Sequence, residues 1–132
     1  MSTLAVGTIK SISSAAPVFQ NTSGTEKGQL CKAWVNFNGT GTVAIRDSFN
    51  VSSITDVGTG KYGVNINTAM ANANYNVCVT DAHDSQVYLL MGCLRVRSDV
   101  TITTSFFQIE FLTFNTGNYN DTEECNAAVF GD

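Results

Sequence analysis

The stretch CKAWVNFNGTGTVAIRDSFN, residues 31–50, decides the fold class of this chain. Apolar and polar residues alternate through its first half, which is the pattern of a half-buried β-strand. One face of the predicted strand carries Ala33, Val35 and Phe37. The opposite face carries Lys32, Trp34 and Asn36. The stretch therefore predicts a strand with one apolar face and one mixed face.

A glycine turn follows this predicted strand. Asn38-Gly39 supplies the positive φ angles that a type I′ turn requires, and such a turn joins two antiparallel strands tightly. Beyond Gly41 the alternation resumes, and we expect one face of a second strand to carry Val43, Ile45, Asp47 and Phe49. Together the two strands and the turn predict a β-hairpin.

Further short apolar runs follow along the chain. The predicted strands cover residues 30–37, 42–50, 61–66, 75–81, 86–95 and 100–107, and a last long run ends at Phe114. Residues 68–74 could form one helical turn at most. Short strands with frequent turn residues indicate an all-β protein, and we expect an antiparallel β-sandwich of about eight strands.

The first part of the chain has a different character. Residues 11–28 are rich in Ser, Thr, Gly and Asn and hold the only proline, Pro17. This composition predicts an extended arm or long loop. We therefore expect an N-terminal arm over residues 1–29 and a sandwich domain over residues 30–132. An arm that clasps a partner and an arm that is simply disordered are both compatible with the composition.

Composition argues against several classes of function. Charged residues make up 14% of the chain and the net charge is −4, whereas nucleic-acid binding requires clustered Lys and Arg. Arg95 and Arg97 share one strand face, which we interpret as solvated or salt-bridged. No run approaches the roughly 18 apolar residues of a membrane span, and the first residues lack the pattern of a signal peptide. We expect no nucleic-acid partner, no membrane insertion, and synthesis in the cytoplasm.

The four cysteines are scattered along the chain and form no CxxC pair. They are Cys31, Cys78, Cys93 and Cys125. A zinc site would have to be assembled from four separate elements, so we expect no metal and no cofactor. Cytoplasmic synthesis predicts free thiols, with Cys78 and Cys93 as small buried apolar residues of strands.

Catalytic patterns are weak. His83 is the only histidine, and it lies in a polar loop between two predicted strands beside Asp81 and Asp84. Groups adjacent in sequence on one loop rarely take up the geometry of a catalytic triad, so we expect no enzyme. A second polar loop, residues 116–124, lacks the spacing and the turn glycine of a calcium-binding EF-hand. Candidate binding residues on these two loops are Asp81, His83, Asp84, Tyr119 and Asp121.

Large apolar residues occur on both faces of several predicted strands, although a single small domain has only one core. This excess predicts a second burial surface between copies of the chain. Candidate interface residues are Trp34, Leu90, Phe106, Leu112 and Phe114. The only tryptophan, Trp34, could instead form a stacking platform for a sugar, but its strand neighbours favour packing in a core or an interface.

The segment KAWVNFNG and its continuation resemble a module of bacteriophage tail-fibre and appendage proteins. The resemblance extends over about residues 31–79, through Val51-Ser52-Ser53-Ile54-Thr55-Asp56, Tyr62-Gly63-Val64-Asn65, Thr68-Ala69-Met70 and Ala73-Asn74-Tyr75. The chain departs from the module at Ala71-Asn72, where a proline is usual. Residues 81–132 show no resemblance, so no receptor site is carried over.

The resemblance implies a virion protein, most simply a homotrimer made in the cytoplasm of a host bacterium. Two functions are compatible with it. The first is a small tail-fibre or appendage protein that contacts a host receptor through its distal loops. The second is a capsid decoration protein that bridges other virion proteins, which the short chain favours because no fibre shaft is present. In either case residues 1–20 would dock the protein to its virion. A lectin-like sugar binder, which depends on Trp34 and the tyrosines, is a third and weaker interpretation.

Overall fold

The computed structural model describes residues 5–12, 17–82, 92–114 and 116–131. Within these residues it contains ten β-strands and no helix, so none of the described segments is a helix that could cross a membrane. The strands are β1 (Phe19–Gln20), β2 (Glu26–Gly28), β3 (Ala33–Asn38), β4 (Ala44–Phe49), β5 (Val51–Gly58), β6 (Lys61–Ile66), β7 (Asn76–Ala82), β8 (Gly92–Val96), β9 (Phe106–Thr113) and β10 (Glu124–Phe130).

The chain divides into two compact units, residues 1–30 and residues 31–132. In the first unit β1 and β2 pair antiparallel, and every residue of both strands is exposed. The side chain of Asn21 organises the turn between them, because its Oδ1 accepts hydrogen bonds from the backbone N–H groups of Ser23 and Thr25. The sequence predicted no paired strands here, since a two-residue strand leaves no periodic pattern.

The second unit consists of two four-stranded sheets in which every pairing is antiparallel. Their strand orders are β4-β3-β10-β7 and β5-β6-β9-β8. The prediction of an all-β antiparallel fold is confirmed, and the two sheets are those of a β-sandwich.

Three strand predictions were wrong or incomplete. β5 was not predicted, because polar and acidic residues interrupt its apolar alternation, and the short alternating run of β10 was overlooked. Most of the predicted strand 100–107 is absent: these residues turn, and the Thr103 N–H donates to the carbonyl of Phe106, where β9 begins. Tertiary pairing therefore decided which short apolar runs became strands.

The core contains side chains from both sheets. Its buried aromatic members include Phe37, Tyr62, Phe107 and Phe111, each at most 1% exposed. The rings of Phe37 and Tyr62 make an edge-to-face contact with centroids 5.2 Å apart. As predicted, Ala33, Val35 and Phe37 all point into this core. The alternation in residues 33–37 thus placed the inward face of β3 correctly.

The hairpin between β3 and β4 differs from the predicted type I′ turn. Neither Asn38 nor Gly39 has a positive φ; the left-handed residue is Gly41, with φ of 60°. Gly39 is required for another reason, since a Cβ there would lie 2.8 Å from the carbonyl oxygen of Thr122 and would also collide with the Tyr62 hydroxyl. Glycine is therefore required at position 39 by the close approach of Tyr62 and Thr122, and not by the geometry of the turn.

A β-bulge in β4 changes which of its side chains face the core and which face outward. Ile45 lies opposite Phe37 and packs on the core, whereas Asp47 lies opposite Asn36 and Phe49 opposite Trp34. The register shifts between these pairs. The prediction that Ile45, Asp47 and Phe49 share one face was therefore wrong, because an inserted residue moves the following side chains to the other face.

Candidate functional site

The outer face of the β4-β3-β10-β7 sheet carries a row of mostly apolar side chains, which we name the outer row. In register across the four strands it consists of Phe49, Trp34, Ala128 and Cys78. Trp34 is 37% exposed and Phe49 is 54% exposed. Phe130, 36% exposed, also points outward, two residues farther along β10 from Ala128. Large exposed apolar groups on one sheet face are typical of an interaction surface.

A shallow groove of about 250 Å³ opens on this face beside Trp34. Its walls and floor are formed by Trp34, Cys78, Thr80, Asn126 and Ala128, with Val35 and Ala127. Ala128 lies between Trp34 and Cys78 in the register, and its small methyl group leaves the depression between larger neighbours. The lining is mostly apolar, so the groove suits an apolar side chain better than a sugar.

A polar row lies beside the outer row. The Asn36 amide donates to Asn126 Oδ1 at 2.6 Å and to Glu124 Oε1 at 3.3 Å. The Asn126 amide donates to the same Glu124 oxygen. These three side chains thus form one hydrogen-bonded cluster that borders the groove. Asp47, exposed and opposite Asn36, adds a second carboxylate to this side of the sheet.

The outer face of the other sheet holds an ion-pair network around Glu110. The Glu110 side chain is 5% exposed, and its carboxylate accepts from Arg95 Nε at 2.8 Å and lies 3.3 Å from Arg97 Nε. Arg97 also pairs with Asp99, and this hydrogen bond lowers the pKa of Asp99 and raises that of Arg97. The prediction of a salt-bridged face for the two arginines is confirmed.

The predicted binding loops begin at the same end of one sheet. Glu124, the first residue of β10, lies opposite Ala82, the last residue of β7, so the chain leaves β7 beside the point where it enters β10. His83 and Asp84 lie outside the described residues. Asp81 is half-buried, and its Oδ1 accepts from the backbone N–H of Leu94 at 3.3 Å.

The other two candidate binding residues make contacts within the protein. Asp121 Oδ1 accepts from the Gly60 N–H at 2.7 Å and from the Tyr62 hydroxyl at 3.2 Å. The Tyr119 ring is half-buried and lies under the Lys61 ammonium, 3.8 Å from the ring centroid. In the described structure both residues therefore hold segments together at this end of the sandwich.

The Tyr62 hydroxyl links three segments at this end of the sandwich. Besides its contact with Asp121 it donates to the carbonyl oxygen of Gly39 at 3.0 Å. Burial raises the pKa of Tyr62 well above its ordinary value, and the Asp121 carboxylate adds to this effect. The phenol therefore stays protonated and acts as a structural hydrogen-bond donor at neutral pH.

The predicted interface residues do not lie on one surface. Trp34 belongs to the β4-β3-β10-β7 sheet, whereas Phe106 and Leu112 are half-buried on the outer face of the other sheet. Phe106 lies over Gly63, whose Cα leaves room for the ring. Phe114 follows β9 and is 68% exposed, and Leu90 lies outside the described residues.

The sequence analysis missed most of the outer row. Phe49 was placed with an inward residue because the bulge is invisible in the sequence, and Ala128 lies on a strand that was not predicted. The alternation Cys125, Ala127, Val129 could have revealed β10, since these residues are all buried. Cys78 was predicted to be buried, but it faces outward and is exposed. Its cross-strand neighbour on the outer face is Ala128, whose side chain is too small to cover Cys78.

The described thiols are free and lie in different environments, from exposed to fully buried. Cys31, Cys78 and Cys125 form no disulfide, and the side chain of Cys93 lies outside the described part. Burial raises the pKa of the Cys125 thiol to about 12, so it stays protonated. In the part of the chain that the structure describes, no group of three or more His, Cys, Asp or Glu could hold a metal ion.

Comparisons of the chain with protein-family models, with curated proteins and with solved structures found no match.

Proposed function

We propose that this protein is a structural component of a bacteriophage particle, a small trimeric tail-fibre or appendage protein that takes part in host attachment. The observation that carries the proposal is the position of the resembling segment. Residues 31–79 form β3 to β6 and about half of β7, so the segment contributes strands to both sheets. The same segment also supplies Trp34 and Phe49 to the outer row.

The outer row supports a function in assembly. Its aromatic side chains are more than one-third exposed, and a hydrogen-bonded polar cluster borders them. An apolar patch with a polar rim is the composition expected of a surface that packs against another protein. Such a surface agrees with the self-association that the family resemblance implies.

Host contact in this proposal involves the end of the sandwich where β7 ends and β10 begins. The two candidate loops from the sequence analysis, residues 81–85 and 116–124, adjoin that end, because the last residue of β7, Ala82, lies opposite the first residue of β10, Glu124. Paired loops on a rigid sandwich are a common arrangement for binding residues. The proposal places the receptor-binding residues in these loops and the assembly surface on the sheet face.

A capsid decoration protein is the alternative. A sandwich that packs through one sheet face serves a head lattice as well as an appendage, so the outer row supports both functions equally.

The location of the protein on intact particles tests the proposal. Particles are labelled with a gold-conjugated antibody against the purified protein and imaged by electron microscopy, with pre-immune antibody as the control. Label on the tail or on projecting fibres supports host attachment. Label distributed over the head supports the decoration alternative. Particles that bind no more gold than the control refute both.

A further inference from the structure

The described residues of the N-terminal unit expose several apolar side chains, and none of these described residues belongs to the buried core. Val6, Ile9 and Ile12 are 53%, 63% and 107% exposed, and Val18 and Phe19 are also exposed. A unit of 30 residues without disulfide or metal is too small to bury such side chains by itself. A stable environment for them therefore requires a surface outside this unit.

The outer face of the β4-β3-β10-β7 sheet is too small to hold two copies together alone. Four strands about 4.8 Å apart and about six residues long at 3.3 Å each give a footprint of roughly 400 Å². A stable protein interface needs about 800 Å² from each partner. Self-association through this face therefore needs a second contributor of about equal area. Residues 5–12, if extended, span up to about 28 Å and could cross the whole sheet.

The charges of the two units are complementary. Residues 1–30 carry Lys10 and Lys27 against Glu26, a net charge of +1, whereas residues 31–132 carry five basic and ten acidic residues, a net charge of −5. Lys10 lies in sequence between two of the exposed isoleucines. Asp47 is exposed on the outer face, and Glu124 belongs to the polar cluster beside the groove. The segment thus offers an apolar side chain for the groove and a cation for its acidic border.

We propose that residues 5–12 of one copy lie across the outer face of the β4-β3-β10-β7 sheet of a second copy. Ile9 or Ile12 enters the groove beside Trp34, over the small side chain of Ala128, and Lys10 pairs with a carboxylate of the adjacent polar row. This inference rests on the self-association proposed above and names the surfaces that produce it. Since segment and groove are different surfaces, the contact is heterologous, and the trimer proposed above is a ring in which three such contacts close.

Cross-linking from the groove tests the contact directly. Cys78 is exposed in the groove, so a maleimide-benzophenone label can be attached there in a Cys31→Ser/Cys93→Ser background, where the one other thiol, Cys125, is buried. Equal amounts of ¹⁵N-labelled and unlabelled protein are mixed, irradiated and digested. We expect mixed-isotope cross-links that join the Cys78 peptide to residues 1–10 or 11–27. Cross-links to other parts of the chain, or none between copies, would overturn the assignment.

The oligomer mass provides a second test. We expect Ile9→Asp/Ile12→Asp to weaken association by about tenfold or more, because the one isoleucine that enters the groove contributes roughly tenfold or more to the equilibrium constant. Val57→Asp is the matched control: Val57 is 43% exposed on β5, in the other sheet, and its variant should keep the wild-type mass. Masses are compared by light scattering over a concentration series.

The outcomes separate this inference from the proposed function. A wild-type oligomer that persists unchanged in Ile9→Asp/Ile12→Asp refutes the docking of residues 5–12 and leaves the virion proposal intact. A monomeric wild type at about 100 µM refutes the inference as well as the trimer. Particle labelling reports on virion function independently of both results.

Discussion

Removal of the Tyr62 hydroxyl should destabilise the sandwich without disturbing its packing. Tyr62 is completely buried, and its hydroxyl donates to the Gly39 carbonyl at 3.0 Å and approaches Asp121 at 3.2 Å. Tyr62→Phe keeps the ring and its edge contact with Phe37, and it removes the oxygen alone. The substitution therefore isolates the hydrogen bonds that join three segments of the chain.

The magnitude follows from the groups left without a donor. A net hydrogen bond contributes about 1 kcal/mol, and a buried acceptor without a partner costs roughly 1–3 kcal/mol. In Tyr62→Phe the Asp121 carboxylate keeps its hydrogen bond from the Gly60 N–H, whereas the Gly39 carbonyl loses its hydrogen bond from the Tyr62 hydroxyl. The unpaired Gly39 carbonyl therefore accounts for most of the cost. We expect a decrease of about 2 kcal/mol in the free energy of unfolding, which corresponds to a melting temperature lower by roughly 8 °C.

Urea unfolding monitored by far-UV circular dichroism measures this change, and Tyr119→Phe is the matched control. Among the described residues the Tyr119 hydroxyl makes no hydrogen bond, and its contact with Lys61 involves the ring, which the variant keeps. The control should change stability by less than about 0.5 kcal/mol. Equal stabilities of Tyr62→Phe and Tyr119→Phe would refute the structural function assigned to the hydroxyl.

A double-mutant cycle sharpens the test. Asp121→Ala removes the acceptor that Tyr62 and the Gly60 N–H share. If the three groups act as one network, the double variant Tyr62→Phe/Asp121→Ala should lose about 1 kcal/mol less than the sum of the single losses. Strict additivity would show that the two side chains act separately.

Three further predictions concern stability. Gly39→Ala should lower the free energy of unfolding by about 2–3 kcal/mol, because the added Cβ would collide with backbone and with the buried Tyr62 ring. Gly41→Ala should cost roughly 1 kcal/mol, because its Cβ meets open space and only the φ of 60° is unfavourable. Urea unfolding measures both variants, and the reverse order would contradict the fold at this turn. Burial raises the pKa of Tyr75 and of Cys125 to about 12 from ordinary values of 10.0 and 9.0, so between about pH 9 and 12 the unfolded chain binds fewer protons. Stability should be constant from pH 7 to 8.5 and fall above about pH 9, and urea midpoints independent of pH up to 11.5 would refute this. Glu110→Gln should lower the free energy of unfolding by about 1–3 kcal/mol, since two arginines lose a buried counter-charge. An unchanged urea midpoint would refute a stabilising effect of these ion pairs.

The sequence determined the class of the fold and one face of its central strand. Alternation in residues 33–37 depends on the period of two in a strand, which is a local property of the backbone. It therefore predicted correctly which side chains of β3 enter the core. The clustering of Arg95 and Arg97 on one salt-bridged face followed from the same period.

Tertiary structure alone decided the rest of the candidate site. The bulge in β4 moved Phe49 to the outer face, and the pairing of β10 between β3 and β7 put Ala128 beside Trp34. Both depend on contacts between residues tens of positions apart, which no local period records. The groove exists because Ala128 of β10 has a small side chain and lies between the larger side chains of Trp34 on β3 and Cys78 on β7. For the same reason Gly39, which a turn pattern explained wrongly, is required by the distant Tyr62 and Thr122.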